Sequence, residues 1–281
     1  MDVYVLSNNG LGDNIFMFGA INFIRKFYKR VFFLCKEQNF KNLVLFYSNC
    51  SNVICQPYDK FKKKNKNSEC ILVKKFLSDK YKNPNIDILV CGFRHKKHLK
   101  SKITNSKYIK NQLICKDYSI ACSELTDRNF GFIKQFYLDM KLNLTYFYEF
   151  FEPPEYNYSK EIFNNVSDYY LVFIHSRGSN RSMDISKLIN KYINNEKVLL
   201  ICSDYNIYSE NHHKYMLAQD FVFKKLVYYI DIIKNCDEIH IIDSCFVGIV
   251  LPLLKTNRLK TNIVTITKLS HVGKRESKKW N

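Results

Sequence analysis

Glycine and proline are scarce, with 8 and 5 residues in a chain of 281. That excludes a collagen-like or linker-like chain and speaks against a turn-dense all-β one. No uninterrupted apolar run approaches the ~18 residues of a membrane helix. The ten cysteines contain no Cys-x-x-Cys pair, so a zinc ribbon or a thioredoxin-like site is not indicated. No Asp-x-Asp occurs, nor a Gly-x-Gly-x-x-Gly dinucleotide fingerprint, nor a glycine-rich loop ending in Lys. Acidic residues are few: 26 Asp and Glu stand against 44 Lys and Arg, a formal net charge of +18.

What is abundant is aromatic. There are 22 Phe and 20 Tyr, within an apolar fraction of 46%, which excludes disorder over most of the length. At roughly 150 residues per domain the length suggests two domains of similar size, or one large one. The basic excess favours anionic partners such as nucleic acid, anionic membrane or phosphorylated small molecules. Much of it is Lys beside Asn, as in the run from Lys60 to Asn67, which reads equally as a solvated surface in an AT-rich composition. Cys35, Cys91 and Cys202 end or follow apolar runs and read as small buried hydrophobes in a reducing compartment. His95 and His98 have helical metal-ligand spacing, but Lys96 and Lys97 between them repel a cation.

Apolar runs alternate with helical periodicity. Strands are expected at 3–6, 31–35 and 52–55, with helices at 15–27 and 38–48 between them, the signature of a parallel sheet with crossover helices. Further strands are expected at 70–73 and 86–91, separated from 52–55 by a basic loop over 57–70, and 92–150 reads as mostly helical. Pro153-Pro154 marks a boundary, giving domains 1–152 and 153–281. The second half repeats the alternation, with strands at 169–174, 197–202, 238–242 and 261–266, helices at 184–194, 223–235 and 246–254, and a loose basic tail from 274.

Ligands of open α/β sheets bind at the carboxyl ends of the strands. Four polar clusters fall there. Gly10, Gly12, Asp13 and Asn14 form a glycine turn opening a helix, where Asp13 is either a capping residue or a general base. His175 and Arg177 follow the first strand of the second half. Arg177 suits a phosphate or is an ordinary surface side chain, and His175 is either functional or a satisfied structural imidazole. Ser203 and Asp204 follow the next strand, Asp204 being placed to contact a ribose or sugar hydroxyl. Asp243, Ser244, Cys245 and Phe246 open a helix whose N–H groups either suit a diphosphate or are simply capped.

Together these segments resemble a known family. Asn9-Gly10-Leu11-Gly12-Asp13-Asn14-Ile15-Phe16-Met17 is similar to the opening of two-domain GT-B glycosyltransferases, notably heptosyltransferases and α-1,2-fucosyltransferases. Phe173-Ile174-His175-Ser176-Arg177-Gly178 resembles the fucosyltransferase His-x-Arg-Arg-Gly-Asp segment, with one Arg where that segment has two and no Asp after Gly178. Cys236 to Phe246 resembles the late segment of both groups, and the overall pattern looks like glycosyltransferase-like proteins of large DNA viruses.

The resemblance implies an α/β fold of two Rossmann-like domains facing a central cleft. It implies a metal-independent, inverting transfer of sugar from a nucleotide-diphosphate sugar to a hydroxyl of a glycan or glycoconjugate. By match, Asp13 is the base and Arg177 binds the donor diphosphate. His175 is the second catalytic candidate. Gly10, Gly12, Asn14, Ser203, Asp204, Asp243, Ser244, Cys245 and Phe246 complete the donor site. No cofactor or metal is expected, nucleic acid is not the expected partner, and the absence of a signal sequence points to the cytoplasm. The competing expectations are a basic nucleic-acid-binding protein, read from the charge, and a catalytically inactive GT-B-like binder.

Overall fold

The computed structural model describes residues 1–6, 10–57, 85–91, 131–178, 181–269 and 275–280. The expected strand at 70–73, the Lys60–Asn67 run and His95 and His98 lie outside them. The described residues fall into two compact units, Met1–Pro154 and Glu155–Asn281. Each is an α/β structure built on a mainly parallel sheet. No described helix is long and apolar enough to cross a membrane.

In the first unit the strands β1 (Asp2–Leu6), β2 (Arg30–Cys35), β3 (Val53–Pro57) and β4 (Ile86–Val90) lie in the order β3-β2-β1-β4. All neighbouring pairs are parallel. β1 is an inner strand, and Val3, Tyr4, Val5 and Leu6 are all buried. A strand buried on both faces reads as a continuous apolar run rather than an alternating one. The chain runs outward from β1 through β2 to β3 and then returns to place β4 on the other side of β1. The direction of winding therefore reverses between β1 and β4.

The single helix expected over 15–27 is two helices, α1 (Leu11–Phe16) and α2 (Phe18–Ile24). The cause is Tyr137, carried on α4 (Gly131–Met140). Its buried hydroxyl accepts a hydrogen bond from Ala20 N–H (3.2 Å) and donates one to Phe16 C=O (3.0 Å). Those are the two groups that an unbroken helix would join directly, so the side chain is inserted into the ladder. α2 in turn packs on α5 (Tyr146–Glu149) at very short range. A Cβ built on Gly19 would lie 2.1 Å from the Tyr146 carbonyl oxygen, so only glycine fits. Around this contact Phe18 meets Phe46, Tyr47 and Phe151, and Phe147 meets Phe16 and Tyr137. The helix α3 (Glu37–Phe46) joins β2 to β3.

The second unit begins with α6 (Asn157–Asn164) and the inner strand β5 (Tyr170–His175). A two-residue hairpin follows, β6 (Arg177–Gly178) with β7 (Arg181–Ser182). Then come α7 (Ser186–Tyr192), β8 (Val198–Cys202), α8 (Tyr215–Gln219), a 3₁₀ turn (Leu226–Tyr229), α9 (Ile230–Asn235), β9 (Glu238–Ile242), α10 (Val247–Lys255), β10 (Val264–Leu269) and β11 (Arg275–Trp280). The sheet order is β11-β10-β9-β5-β8, parallel except for β11. Here the winding reverses between β5 and β9. The outer edge of β8 is covered by side chains: Tyr208 accepts from Leu200 N–H (2.9 Å), and the buried Lys214 ammonium donates to Val198 C=O (3.1 Å). Such cover removes a free pairing edge.

Two expectations are corrected in this unit. The tail is not loose throughout, because Arg275–Trp280 pairs antiparallel with β10, Val264 opposite Trp280, and extends the sheet past that strand. The region 223–235 is not one helix. Phe223 adopts a left-handed φ of 53°, which stops helical winding. Tyr229 Oη holds that turn by donating to Phe221 C=O (2.6 Å) and accepting from Lys224 N–H (2.9 Å).

Candidate functional site

In an open α/β sheet the crevice for a ligand lies off the carboxyl ends of the strands where the winding reverses, because the two connections there diverge to opposite faces. Each unit has such a point, and the polar clusters of the sequence sit at both.

In the first unit the cluster follows β1. Gly10 precedes α1 and is exposed, with Gly12 and Asp13 in the first turn. The Asp13 carboxylate accepts the Gly10 N–H (Oδ2, 3.0 Å), so it caps the helix that carries it. Asn14 is buried, 1% exposed, and its side-chain oxygen accepts from Asn39 Nδ2 (3.1 Å), tying α1 to α3.

In the second unit three strand ends converge. β5 ends in His175-Ser176-Arg177, β8 in Ser203-Asp204 and β9 in Asp243-Ser244. The register sets this up: Ile174 lies beside Cys202, and His175 beside Ile241. His175 Nδ1 is 3.0 Å from Asp204 Oδ1 and 2.8 Å from Ser203 Oγ. Asp204 Oδ2 accepts from Ser176 N–H (2.6 Å), Arg177 N–H (2.9 Å) and the Ser176 hydroxyl (3.2 Å). Both His175 and Asp204 are 8% exposed, so this is a buried polar network with its donors matched to acceptors. Burial by itself raises the Asp204 carboxyl. The hydrogen bond and charge of His175 and the two backbone N–H groups outweigh it and hold the group below the usual carboxylate range.

Arg177 itself is exposed, and its guanidinium lies over the Tyr205 ring, 4.4 Å from the centroid. Gly178 abuts the end of β9: a Cβ there would meet Ile242 Cδ1 at 2.8 Å. The hairpin brings a second arginine beside it, with Arg181 opposite Gly178. Phe246 is buried beneath His175, ring centroids 4.5 Å apart, and packs on Phe173 and Tyr229. Asp243 is exposed and its N–H is bonded to Thr267 C=O (3.0 Å). Ser244 and Cys245 are half-buried, and burial pushes the Cys245 thiol up to about 12.

The first amides of α10 itself are engaged within the chain. Val247, Gly248 and Ile249 donate to the carbonyls of Ser244, Cys245 and Phe246 (3.0 to 3.1 Å). The helix is entered through tight i to i−3 turns that use those donors internally. Tyr205 and Arg181 escaped the sequence reading as site residues. Tyr205 follows Asp204 directly, and its adjacency to a strand-end carboxylate was the available signal. Among the described residues there is no group of three or more His, Cys, Asp or Glu able to hold a metal ion, and the described cysteines are free thiols.

No protein-family profile matches this chain. No curated protein matches it either. Among solved structures it is similar to a glycosyl transferase family 9 protein from Veillonella parvula DSM 2008, at 11% identity and a TM-score of 0.49, over 89% of this chain and 77% of that one. It is similar to E. coli ADP-heptose lps heptosyltransferase II at 9% identity and a TM-score of 0.49, over 90% and 82%. A third similarity is to E. coli heptosyltransferase WaaC with ADP, at 11% identity and a TM-score of 0.45, over 96% and 91%.

Proposed function

We propose that this chain is a glycosyltransferase of GT-B type that moves a sugar from a nucleotide-diphosphate sugar to a hydroxyl of a glycan or glycoconjugate, with inversion and without a metal. The observation that carries the reading is the convergence of β5, β8 and β9 at the winding reversal of the second unit. It leaves an exposed Arg177 guanidinium beside a buried, satisfied His175–Ser203–Asp204 network. The motif resemblance of the two strand-end segments supports it.

In this reading the second unit takes the donor. A guanidinium matches the paired oxygens of a diphosphate and offsets the charge that grows there as the glycosidic C–O bond breaks. The first unit takes the acceptor. Asp13 removes the proton of the acceptor hydroxyl, whose oxygen attacks the anomeric carbon from the face opposite the departing diphosphate. For that step Asp13 must release its bond to Gly10 N–H.

The test is a melting screen against ADP-, GDP-, UDP- and dTDP-sugars followed by calorimetry of the stabilising ligand. Arg177→Ala is expected to weaken that ligand by about 1.5–3 kcal/mol, the scale of a charge-assisted hydrogen bond. Unchanged affinity removes Arg177 from the site, and absence of any stabilising nucleotide sugar removes the reading.

A further inference from the structure

Asp204 is the residue on which the second unit's cluster converges. Oδ2 takes two backbone N–H groups and one hydroxyl, and Oδ1 faces the ring of His175. An ionised carboxylate offers about four lone-pair sites. Three N–H and O–H donors and the Cys202 thiol (3.9 Å) on one oxygen, with the imidazole on the other, leave little capacity for a ligand hydroxyl. The group is also 8% exposed.

We propose that Asp204 is a positioning residue with two separable tasks. Through Oδ2 it pins the backbone where β5 gives way to the hairpin, which sets where the Arg177 guanidinium emerges. Through Oδ1 it fixes the tautomer of His175. A carboxylate only accepts, so the proton between them belongs to Nδ1, shared with Ser203 Oγ at 2.8 Å. Nε2 is then the ring atom left to gain or lose a proton and to meet a ligand. Phe246, packed on the imidazole, keeps the ring from rotating away. The ligand-side half of this inference rests on the proposed diphosphate site; the tautomer half does not.

The two tasks come apart in Asp204→Asn. Oδ2 is surrounded by donors, two of them backbone N–H groups, so the amide oxygen takes that place and the amide NH₂ faces Nδ1. Nδ1 must then accept, and the proton moves to Nε2, whereas Asp204→Ala removes both tasks.

The experiment uses the full chain with labelled histidine, followed by nitrogen NMR of the His175 ring without ligand. It is paired with calorimetric titration of inorganic pyrophosphate and of ADP. The native protein is expected to keep Nδ1 protonated across about pH 5 to 9, and Asp204→Asn to show the Nε2–H form at the upper end. Asp204→Asn is expected to bind either probe no more than about 3-fold more weakly than native, and Asp204→Ala at least about 10-fold more weakly.

An unchanged tautomer in Asp204→Asn overturns the proposal, and so does an affinity loss in Asp204→Asn equal to that in Asp204→Ala, since that marks a direct contact. If the native chain binds neither probe, the diphosphate site fails and the ring spectrum alone decides the role of Asp204. If Asp204→Ala does not fold, the Asp204→Asn spectrum and titration decide it.

Discussion

The two units place polar residues at equivalent points of their sheets by different means. In the first, the glycine turn is organised by a contact spanning three residues, Asp13 to Gly10 N–H, above a core whose shape is set by aromatic rings and one glycine. In the second, the contacts join residues 28 positions apart, His175 to Ser203 and Ser176 to Asp204. The winding differs as well. The first unit reverses after three strands on one side, in the order β3-β2-β1-β4; the second reverses after two, in the order β8-β5-β9-β10. A ligand-facing strand end is thus reached by local capping in one case and by strand register in the other. The first survives as long as the helix forms, and the second only while the whole sheet is intact.

Three perturbations sharpen that contrast. The largest effect is expected from Gly19→Ala. In an open helix this change gains up to about 1 kcal/mol. Here the new methyl would lie 2.1 Å from a backbone carbonyl oxygen, which cannot swing aside like a side chain. A net loss of about 2–3 kcal/mol is expected from overpacking. Denaturant melts would show the loss, and hydrogen exchange would confine it to amides of Met1–Pro154. A neutral result would mean that α2 and α5 separate easily.

Acid acts on the other unit. Asp204 is held below its ordinary 3.8 and Glu238 below its ordinary 4.5, each despite burial. Glu238 is held down by Tyr192, His240 and Tyr170. Carboxylates with lowered folded values contribute stability that is complete above the unfolded value and disappears as pH falls through the folded one. Loss is therefore expected to begin near 4.5 and to continue below 3.8, and Asp204→Asn and Glu238→Gln are expected to flatten that limb. Melting temperature against pH would read this directly. An unchanged limb in both variants would show that these carboxylates are not what acid attacks.

The smallest effect concerns Phe223, 78% exposed and in left-handed backbone. Phe223→Gly removes a steric cost of about 1–2 kcal/mol and adds an unfolded-state entropy cost of about 0.5–1 kcal/mol. A net gain of no more than about 1.5 kcal/mol is expected, measured by equilibrium unfolding. A loss would show that the ring makes a stabilising contact.

Strand positions were legible because buried parallel strands are short apolar runs: residues 3–6, 31–35, 169–174 and 238–242 fall on β1, β2, β5 and β9 with shifts of a residue or so. The break between α1 and α2 was not legible, since the hydroxyl that causes it comes from Tyr137, more than a hundred residues away. The strand Arg275–Trp280 was missed because its composition is that of a solvated tail, and only the edge of β10 gives it a partner.

By itself the sequence determined where the buried strands fall and which polar residues sit at their ends, because hydrophobic period and turn residues act over a few positions. The tertiary structure alone decided which strand ends are neighbours. That choice turned Asp204 from a residue next to a strand into the acceptor for two backbone amides and an imidazole. Pairing order depends on packing between distant segments, and local pattern carries no record of it.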